Sequence, residues 1–203
     1  MKQVAVLVSG GGTNLQALID AKQRGEIPHA ELRLVVASKP GIFALERASK
    51  AGIPAAVIRK SDYTCFEEFD AALLDTLRQN DIDVVVLAGY LTIIGSKVLS
   101  SYPERIINVH PSLIPAFCGD GWYGMRPHRE VLARGVKVTG ATVHLVNEVV
   151  DGGRILAQKA VEILEDDTPE TLQKRVMEQA EWQLLPAAVE TVCRELDNRP
   201  VPL

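Results

Sequence analysis

The feature that most constrains the fold is a run of five apolar residues, 4–8, that leads directly into Ser9 and three glycines. A continuous apolar run bounded by a glycine turn is typical of a parallel strand buried on both faces. Similar runs lie at residues 32–37 and 84–88. Helical patterns alternate with them at residues 14–24, 43–51 and 66–80. This alternation predicts an α/β fold with a mostly parallel, twisted sheet and helices on both faces.

The pattern changes in the second half of the chain. Residues 106–109 predict a short strand, followed by a loop over 111–125 and a helix over 127–134. Residues 138–146 and 155–163 predict a long hairpin. A last helix is expected over 169–196, with Thr168 as its N-cap and a bend at Pro186. We therefore expect one domain over 1–203, with a Rossmann-like half over 1–105 and a second half over 106–203.

Composition excludes several classes of protein. The formal net charge is −4 and no long Lys/Arg run offsets it, which argues against nucleic-acid binding. No apolar stretch reaches the roughly 18–20 residues that span a bilayer. Cys65, Cys118 and Cys193 are odd in number and widely spaced, so no disulfide framework is expected and a cytoplasmic location fits. The sequence contains no His/Cys cluster, so no metal site is expected.

The glycine turn is a candidate anion site. Glycines let backbone N–H groups approach an anion, and the N-terminus of a following helix favours negative charge. Leu15 stands where a dinucleotide fingerprint needs its third glycine, so a single phosphate is the predicted ligand. Thr13 or Asn14 is expected to cap the helix, and Gly25 to end it. A plain strand–helix turn is the alternative.

Asn108 and His110 form the second candidate site. On a strand, residues i and i+2 point to the same face, roughly 6.6 Å apart at about 3.3 Å per residue. The C-terminal end of a strand is where open α/β sheets bind ligands. The alternative is that both side chains only satisfy loop backbone. Asp151, in Asp-Gly-Gly, reads as a turn unless it closes on His110, where its carboxylate would raise the imidazole pKa. His144 is predicted to be a core or near-site histidine.

At these residues the sequence resembles the phosphoribosylglycinamide formyltransferases. The resemblance covers essentially the whole chain, through VLVSGGGTNLQALID, VVVLAGYLTI, INVHPSLIPAF, GVKVTGATVHLVNEVVDGGRILAQ and AEWQLLP. It implies the formyltransferase fold. It also implies transfer of the formyl group of 10-formyltetrahydrofolate to the primary amine of glycinamide ribonucleotide, in purine biosynthesis, through a tetrahedral intermediate. Asn108, His110 and Asp151 match the family's catalytic residues, with Asp151 keeping His110 protonated near neutral pH.

The same resemblance assigns binding roles. It places the substrate phosphate on Gly12, Thr13 and Asn14, and the ribose on Glu181. The folate contacts it implies are Leu91, Thr92, Ile93, Ile94, Asn108, Asn147 and Asp151. The chain departs from the family where Thr92 and Phe66 replace arginines, which leaves Lys60 and Lys97 as candidates to hold the folate tail. It also departs in a longer loop over 118–126, with Arg126 where a histidine is common.

Three other functions are alternatives to this formyl transfer. A methionyl-tRNA formyltransferase normally adds a C-terminal RNA-binding domain, and a formyltetrahydrofolate hydrolase normally adds an N-terminal regulatory domain. We expect neither, since the catalytic pattern begins at residue 1 and the chain ends just after its last predicted helix. A non-catalytic sensor would have no need of Asn108, His110 and Asp151 together. The expected partners are the two small-molecule substrates, without nucleic acid or membrane, in a monomer or weak homodimer.

Overall fold

The computed structural model describes residues 1–198 and places seven strands in one sheet. The strands are β1 (Lys2–Val8), β2 (Ala30–Ala37), β3 (Ala55–Val57), β4 (Val84–Leu87), β5 (Ile106–His110), β6 (Val138–Leu145) and β7 (Ile155–Glu162). Their order is β3-β2-β1-β4-β5-β6-β7. The first five are parallel, and β6 and β7 join as the predicted antiparallel hairpin. The predicted mostly parallel α/β sheet is confirmed.

Seven α-helices pack around this sheet in the described residues. They are α1 (Thr13–Gln23), α2 (Phe43–Lys50), α3 (Phe66–Gln79), α4 (Ser96–Ser101), α5 (Arg126–Ala133), α6 (Pro169–Val176) and α7 (Trp182–Asp197). A short 3-10 turn covers Lys60–Asp62, and a π-helical segment covers Met177–Glu181. Between residues 1 and 198, no helix has the length and apolar character needed to cross a membrane.

Helices cover both faces of the sheet, as predicted. One layer of the core joins the sheet to α1, α2 and α7, and the other joins it to α3 and α4. The apolar runs of β1 and β4 are buried throughout because both strands lie in the middle of the sheet. A smaller apolar cluster packs α5 and α6 against β6 and β7. The carboxyl ends of β1, β4 and β5 therefore meet at one edge.

The helix boundaries correct two predictions. Thr13 and Asn14 do not cap α1, because Gly12 is its N-cap in the left-handed conformation (φ 72°) and both residues lie inside the helix. The last helix is interrupted at Met177–Glu181, whereas Pro186 lies within α7. An extra residue in a π turn shifts the apolar periodicity without abolishing it, so the sequence predicts one continuous helix. Thr168 caps α6 as predicted, accepting the Thr171 N–H at 3.2 Å.

Acid stability should depend on Asp167, at the start of α6. Its carboxylate accepts hydrogen bonds from Arg175 Nη1 at 2.6 Å and from the Leu164 N–H at 2.8 Å. The Arg175 guanidinium lowers the pKa of Asp167 to about 2. A depressed folded-state pKa contributes stability above the unfolded value, near 4, that is lost as pH falls towards 2. We expect the melting temperature of D167N to lie below that of the wild type at pH 7, with the gap closing between about pH 4 and 2. A gap that stays constant with pH would contradict this.

Candidate functional site

A cavity of about 430 Å³ opens at the edge where the carboxyl ends of β1, β4 and β5 meet. It brings together the residues that the sequence singled out in separate segments. From those segments it is lined by Thr13, Asn14, Leu91, Thr92, Ile93, Ile94, Asn108, His110, Asn147, Asp151 and Glu181. Gly12 is not among the lining residues. It packs against α2, and a β-carbon added to Gly12 would lie 2.7 Å from the β-carbon of Ala44.

Asn108, His110 and Asp151 meet inside the cavity. Asp151 Oδ2 lies 3.5 Å from His110 Nδ1, and Asp151 Oδ1 lies 3.5 Å from Asn108 Nδ2. The Gly119 N–H donates to Asp151 Oδ2 at 2.9 Å. His110 is buried and Asn108 is half-buried. The i, i+2 spacing on β5 thus delivers an amide and an imidazole to one carboxylate.

The turn that carries Asp151 is determined by steric contacts with the end of β6. A β-carbon at Gly153 would lie 1.8 Å from the Leu145 carbonyl oxygen, so only glycine fits where the chain rejoins β6. Asp151 itself has φ 54°, in the left-handed region that few non-glycine residues adopt. The Val149 N–H donates to Asn147 Oδ1 at 3.0 Å and closes the turn. Asp-Gly-Gly therefore forms a turn, as its composition indicates. This turn also places the Asp151 carboxylate beside His110.

The protonation of His110 differs from the expectation. Burial lowers its pKa, although the Phe117 carbonyl, which accepts from Nε2 at 2.9 Å, and the Asp151 carboxylate both act in the opposite direction. The ring is therefore mainly neutral at pH 7 in the free protein, and Asp151 does not keep it cationic there. The pKa of Asp151 is lowered: burial would raise it, but His144, His110 and the Gly119 N–H together outweigh burial. The pair consists of an ionised carboxylate and an imidazole poised to gain a proton.

His144 belongs to this cluster, as a near-site histidine. It pairs with Asn108 across β5 and β6, and its Nε2 lies 3.1 Å from Asn108 Nδ2 and 3.5 Å from Asp151 Oδ1. Its Nδ1 lies 2.9 Å from the Leu145 carbonyl, which can only accept, so Nδ1 carries hydrogen. In the singly protonated ring, Nε2 is then an acceptor for one Asn108 N–H. The other N–H of that amide makes the longer contact, 3.5 Å from Nδ2 to Asp151 Oδ1.

We predict that H144F lowers kcat by roughly 10–100-fold. Leaving the Asn108 N–H without its acceptor costs about 1–3 kcal/mol and releases the amide from its orientation. Steady-state kinetics of the formyl transfer that the sequence predicts, with both expected substrates saturating, measures this effect. H144Q, whose amide oxygen can still accept, should retain more activity than H144F. Equal kcat values for H144F and the wild type would show that Asn108 is oriented without His144.

The glycine loop presents donors to the same cavity. In residues 1–198, the backbone N–H groups of Gly11, Gly12, Thr13 and Asn14 donate to no protein acceptor. The Asn14 side chain donates to Glu181 Oε2 at 2.7 Å, while its own Oδ1 is buried without a partner. Burial raises the pKa of Glu181, and the Asn14 hydrogen bond opposes that rise. Of these residues, Thr13, Asn14 and Glu181 line the cavity, so N–H groups without an acceptor and a paired carboxyl lie together at one side of it.

The opposite rim is apolar and lacks basic side chains. Leu91 and Ile93 are 59% and 63% exposed, whereas Ile94 is buried. Lys60 lies over the Phe66 ring, and the Lys97 ammonium donates to the Glu67 carbonyl; neither residue lines the cavity. Throughout the described chain, in fact, no Lys or Arg is among the lining residues. The two lysines considered as substitutes for the missing arginines are therefore not at this rim.

Several other residues at the cavity had no strong signal in the sequence. Trp122 lines it, and the Arg126 guanidinium stacks on the Trp122 ring with its Cζ 4.7 Å from the centroid. His128 is fully buried, and within residues 1–198 neither of its ring nitrogens has a hydrogen-bond partner. Burial and the nearby His110 lower its pKa to about 4. Gln173 and Met177 also line the cavity, because the end of α6 and the π segment lie beside the glycine loop.

Comparison with known proteins supplies the family. A family model described as formyl transferase matches residues 2–189. The phosphoribosylglycinamide formyltransferase of Haemophilus influenzae is 39% identical over 189 residues, which are 93% of this chain and 86% of that protein. The chloroplastic phosphoribosylglycinamide formyltransferase of Vigna unguiculata is 40% identical over 96% of this chain, which spans 62% of that protein's length.

A solved structure agrees with these matches. The crystal structure of glycinamide ribonucleotide transformylase 1 from Symbiobacterium toebii superposes with a TM-score of 0.90 at 39% identity, covering 96% of this chain and 89% of that one. The chain therefore belongs to the formyl transferase family and, within it, to the phosphoribosylglycinamide formyltransferases.

Proposed function

We propose that the protein transfers the formyl group of 10-formyltetrahydrofolate to the primary amine of N1-(5-phospho-D-ribosyl)glycinamide, giving the N-formyl product and tetrahydrofolate in purine biosynthesis. The observation that carries the proposal is one cavity lined both by Thr13 and Asn14, whose backbone N–H groups have no protein acceptor, and by Asn108, His110 and Asp151. The names of the relatives at 39–40% identity support phosphoribosylglycinamide as the formyl acceptor.

The ribonucleotide would bind at the glycine loop. Its phosphate would accept from the N–H groups of Gly12, Thr13 and Asn14 at the N-terminus of α1, where the helix dipole favours an anion. Glu181, beside Asn14, would accept from a ribose hydroxyl. In this arrangement residues 1–105 supply most of the phosphate site, and the second half supplies the reacting groups.

The folate would occupy the other part of the cavity. Leu91, Thr92, Ile93 and Ile94 offer an apolar wall, and residues 147–151 form the facing loop. This wall suits a flat pterin, since aromatic rings gain most from apolar contact on their faces. Asn147 and Asp151 would supply the polar contacts that orient the ring. The folate would act as the second substrate, and the described residues 1–198 contain no group of three or more metal-ligating side chains.

The reaction would pass through a tetrahedral oxyanion. The amine attacks the formyl carbon, the C=O becomes an oxyanion, and N10 of tetrahydrofolate leaves. An N–H of Asn108, turned from its 3.5 Å contact with Asp151, would donate to that oxygen, and one such donor is typically worth about 3–4 kcal/mol in the transition state. A cationic His110 beside Asn108 would stabilise the same charge. Asp151 favours the cationic form of His110 as the negative charge develops. Proton transfer from the amine to N10, directly or through a water, adds about 10²–10⁴-fold.

A spectroscopic assay for tetrahydrofolate release tests the proposal. The purified protein is supplied with 10-formyltetrahydrofolate, with and without glycinamide ribonucleotide. Release that requires the ribonucleotide and matches formation of the N-formyl product supports the transfer. Release that is independent of the ribonucleotide would indicate a hydrolase, and release that requires charged initiator tRNA would indicate a tRNA formyltransferase. Either outcome would overturn the proposal.

A further inference from the structure

We propose that Arg47, on α2, is a positioning residue for the phosphate of the ribonucleotide. Its guanidinium holds the carbonyl of Gly11, so that the next N–H, that of Gly12, faces away from α2 towards the phosphate. Arg47 does not line the cavity, and it acts through the glycine loop. This inference rests on the proposed function for the identity of the anion.

Two successive carbonyls of the loop are held by α2. The Ala44 N–H donates to the Gly10 carbonyl at 3.3 Å, and Arg47 Nε donates to the Gly11 carbonyl at 2.9 Å. In a planar trans peptide, the N–H points opposite to the C=O of the same unit. The N–H groups of Gly11 and Gly12 therefore point away from α2. Their lack of any protein acceptor in residues 1–198 agrees with an external anion as their partner.

The arginine is held rigidly by three neighbours. Besides Gly11, its Nη1 donates to Gln16 Oε1 at 2.9 Å, and its Cζ lies 4.8 Å from the centroid of the Phe43 ring. Gln16 is itself tied to Asp20 along α1. A planar guanidinium can satisfy two acceptors in fixed directions, which a lysine ammonium on a flexible stem does less well. The contact therefore sets the direction of the Gly11 carbonyl and links α1 to α2.

The positive charge of Arg47 would also favour binding of a phosphate at the glycine loop. The described lining of the cavity contains no Lys or Arg, but it contains the carboxyl groups of Asp120, Glu148, Asp151 and Glu181. A phosphate entering such a site needs positive potential from elsewhere. The N-terminus of α1 provides part of it, and the Arg47 guanidinium adjoins the peptide that separates Gly11 from Gly12.

Three variants separate this role from a merely structural one. R47M removes the charge and the hydrogen bonds but keeps an apolar stem, and R47K restores the charge. K50M is the matched control, because Lys50 lies on the same helix and over the same Phe43 ring, 5.8 Å from its centroid, without contacting the loop. We expect R47M to raise KM for glycinamide ribonucleotide by about 10–100-fold, with KM for the formyl donor and kcat within about 3-fold of wild type. R47K should recover part of the loss, and K50M should behave as wild type.

Binding of inorganic phosphate, measured by calorimetry, gives a readout that needs no turnover. We expect its dissociation constant to rise in R47M by a factor similar to that of KM. An unchanged dissociation constant in R47M, an equal effect of K50M, or a fall in kcat with KM unchanged would overturn the inference. Wild-type protein that binds no phosphate would overturn it too, whatever its activity. Wild-type protein that binds phosphate but transfers no formyl group would contradict the proposed function alone.

Discussion

Replacing Asp151 with Asn should lower kcat by about 10²–10⁴-fold, the range expected when a positioned acid–base group is lost. The carboxylate lies 3.5 Å from both His110 Nδ1 and His144 Nε2 and accepts the Gly119 N–H. A neutral amide cannot stabilise a cationic His110, and without the Asp151 charge the pKa of His110 falls further from neutrality. Steady-state kinetics at pH 7 with both substrates saturating measures the change.

The fold of D151N should remain intact, since Asn is nearly the same size and the turn depends on Gly153 and the Leu145 carbonyl. Circular dichroism and the melting temperature test this. The matched control is D75N, which removes an exposed carboxylate on α3 and should keep wild-type kcat. Near-normal turnover of D151N at neutral pH would rule out the role proposed for the carboxylate.

The second large effect is expected from N108A, which should lower kcat by about 10²–10³-fold, as for loss of one oxyanion donor. Because this donor acts mainly in the transition state, KM for both substrates should change far less than kcat. The substitution also removes the partner of His144 Nε2. Its kcat and both KM values are measured under the conditions used for D151N.

A double-mutant cycle shows whether His144 acts through Asn108. If it does, adding H144F to N108A should cost little, although H144F alone costs roughly 10–100-fold. Fully additive losses would mean that His144 contributes by another route, such as its contact with Asp151. A rise in KM with kcat unchanged for N108A would show that Asn108 binds the ground state as well as it binds the transition state.

Much of the fold could be predicted from the sequence because its signals are local. The buried apolar runs of β1 and β4 and the turn residues that follow them identify a parallel sheet without knowledge of any contact. The short edge strand β3 was not predicted, since three partly exposed residues carry no periodicity. The π segment was missed for a related reason: one extra residue shifts a helical pattern without abolishing it.

The candidate site was predictable only in part. Asn108 and His110 could be placed on one face from their spacing, and the glycine loop from its composition. Asp151 could be assigned to the site only through the family resemblance. It lies 43 residues from Asn108 in the sequence, and no local pattern links the two. His144 was predicted only as a core or near-site histidine and Arg47 was not predicted, because their contacts depend on strand register and on the packing of α2 against the loop.

The sequence by itself determined the class of fold, the edge at which a ligand binds and the residue types that meet there. These follow from alternation, from the i, i+2 rule and from glycine placement, all of which act over a few residues. Only the tertiary structure decided how those residues meet and in which protonation state. Burial lowers the pKa of His110, which the Asp151 carboxylate alone would raise, and the Leu145 carbonyl leaves room only for glycine at position 153 of the turn that carries Asp151. Desolvation and steric exclusion are properties of the packed chain, and no local pattern encodes them.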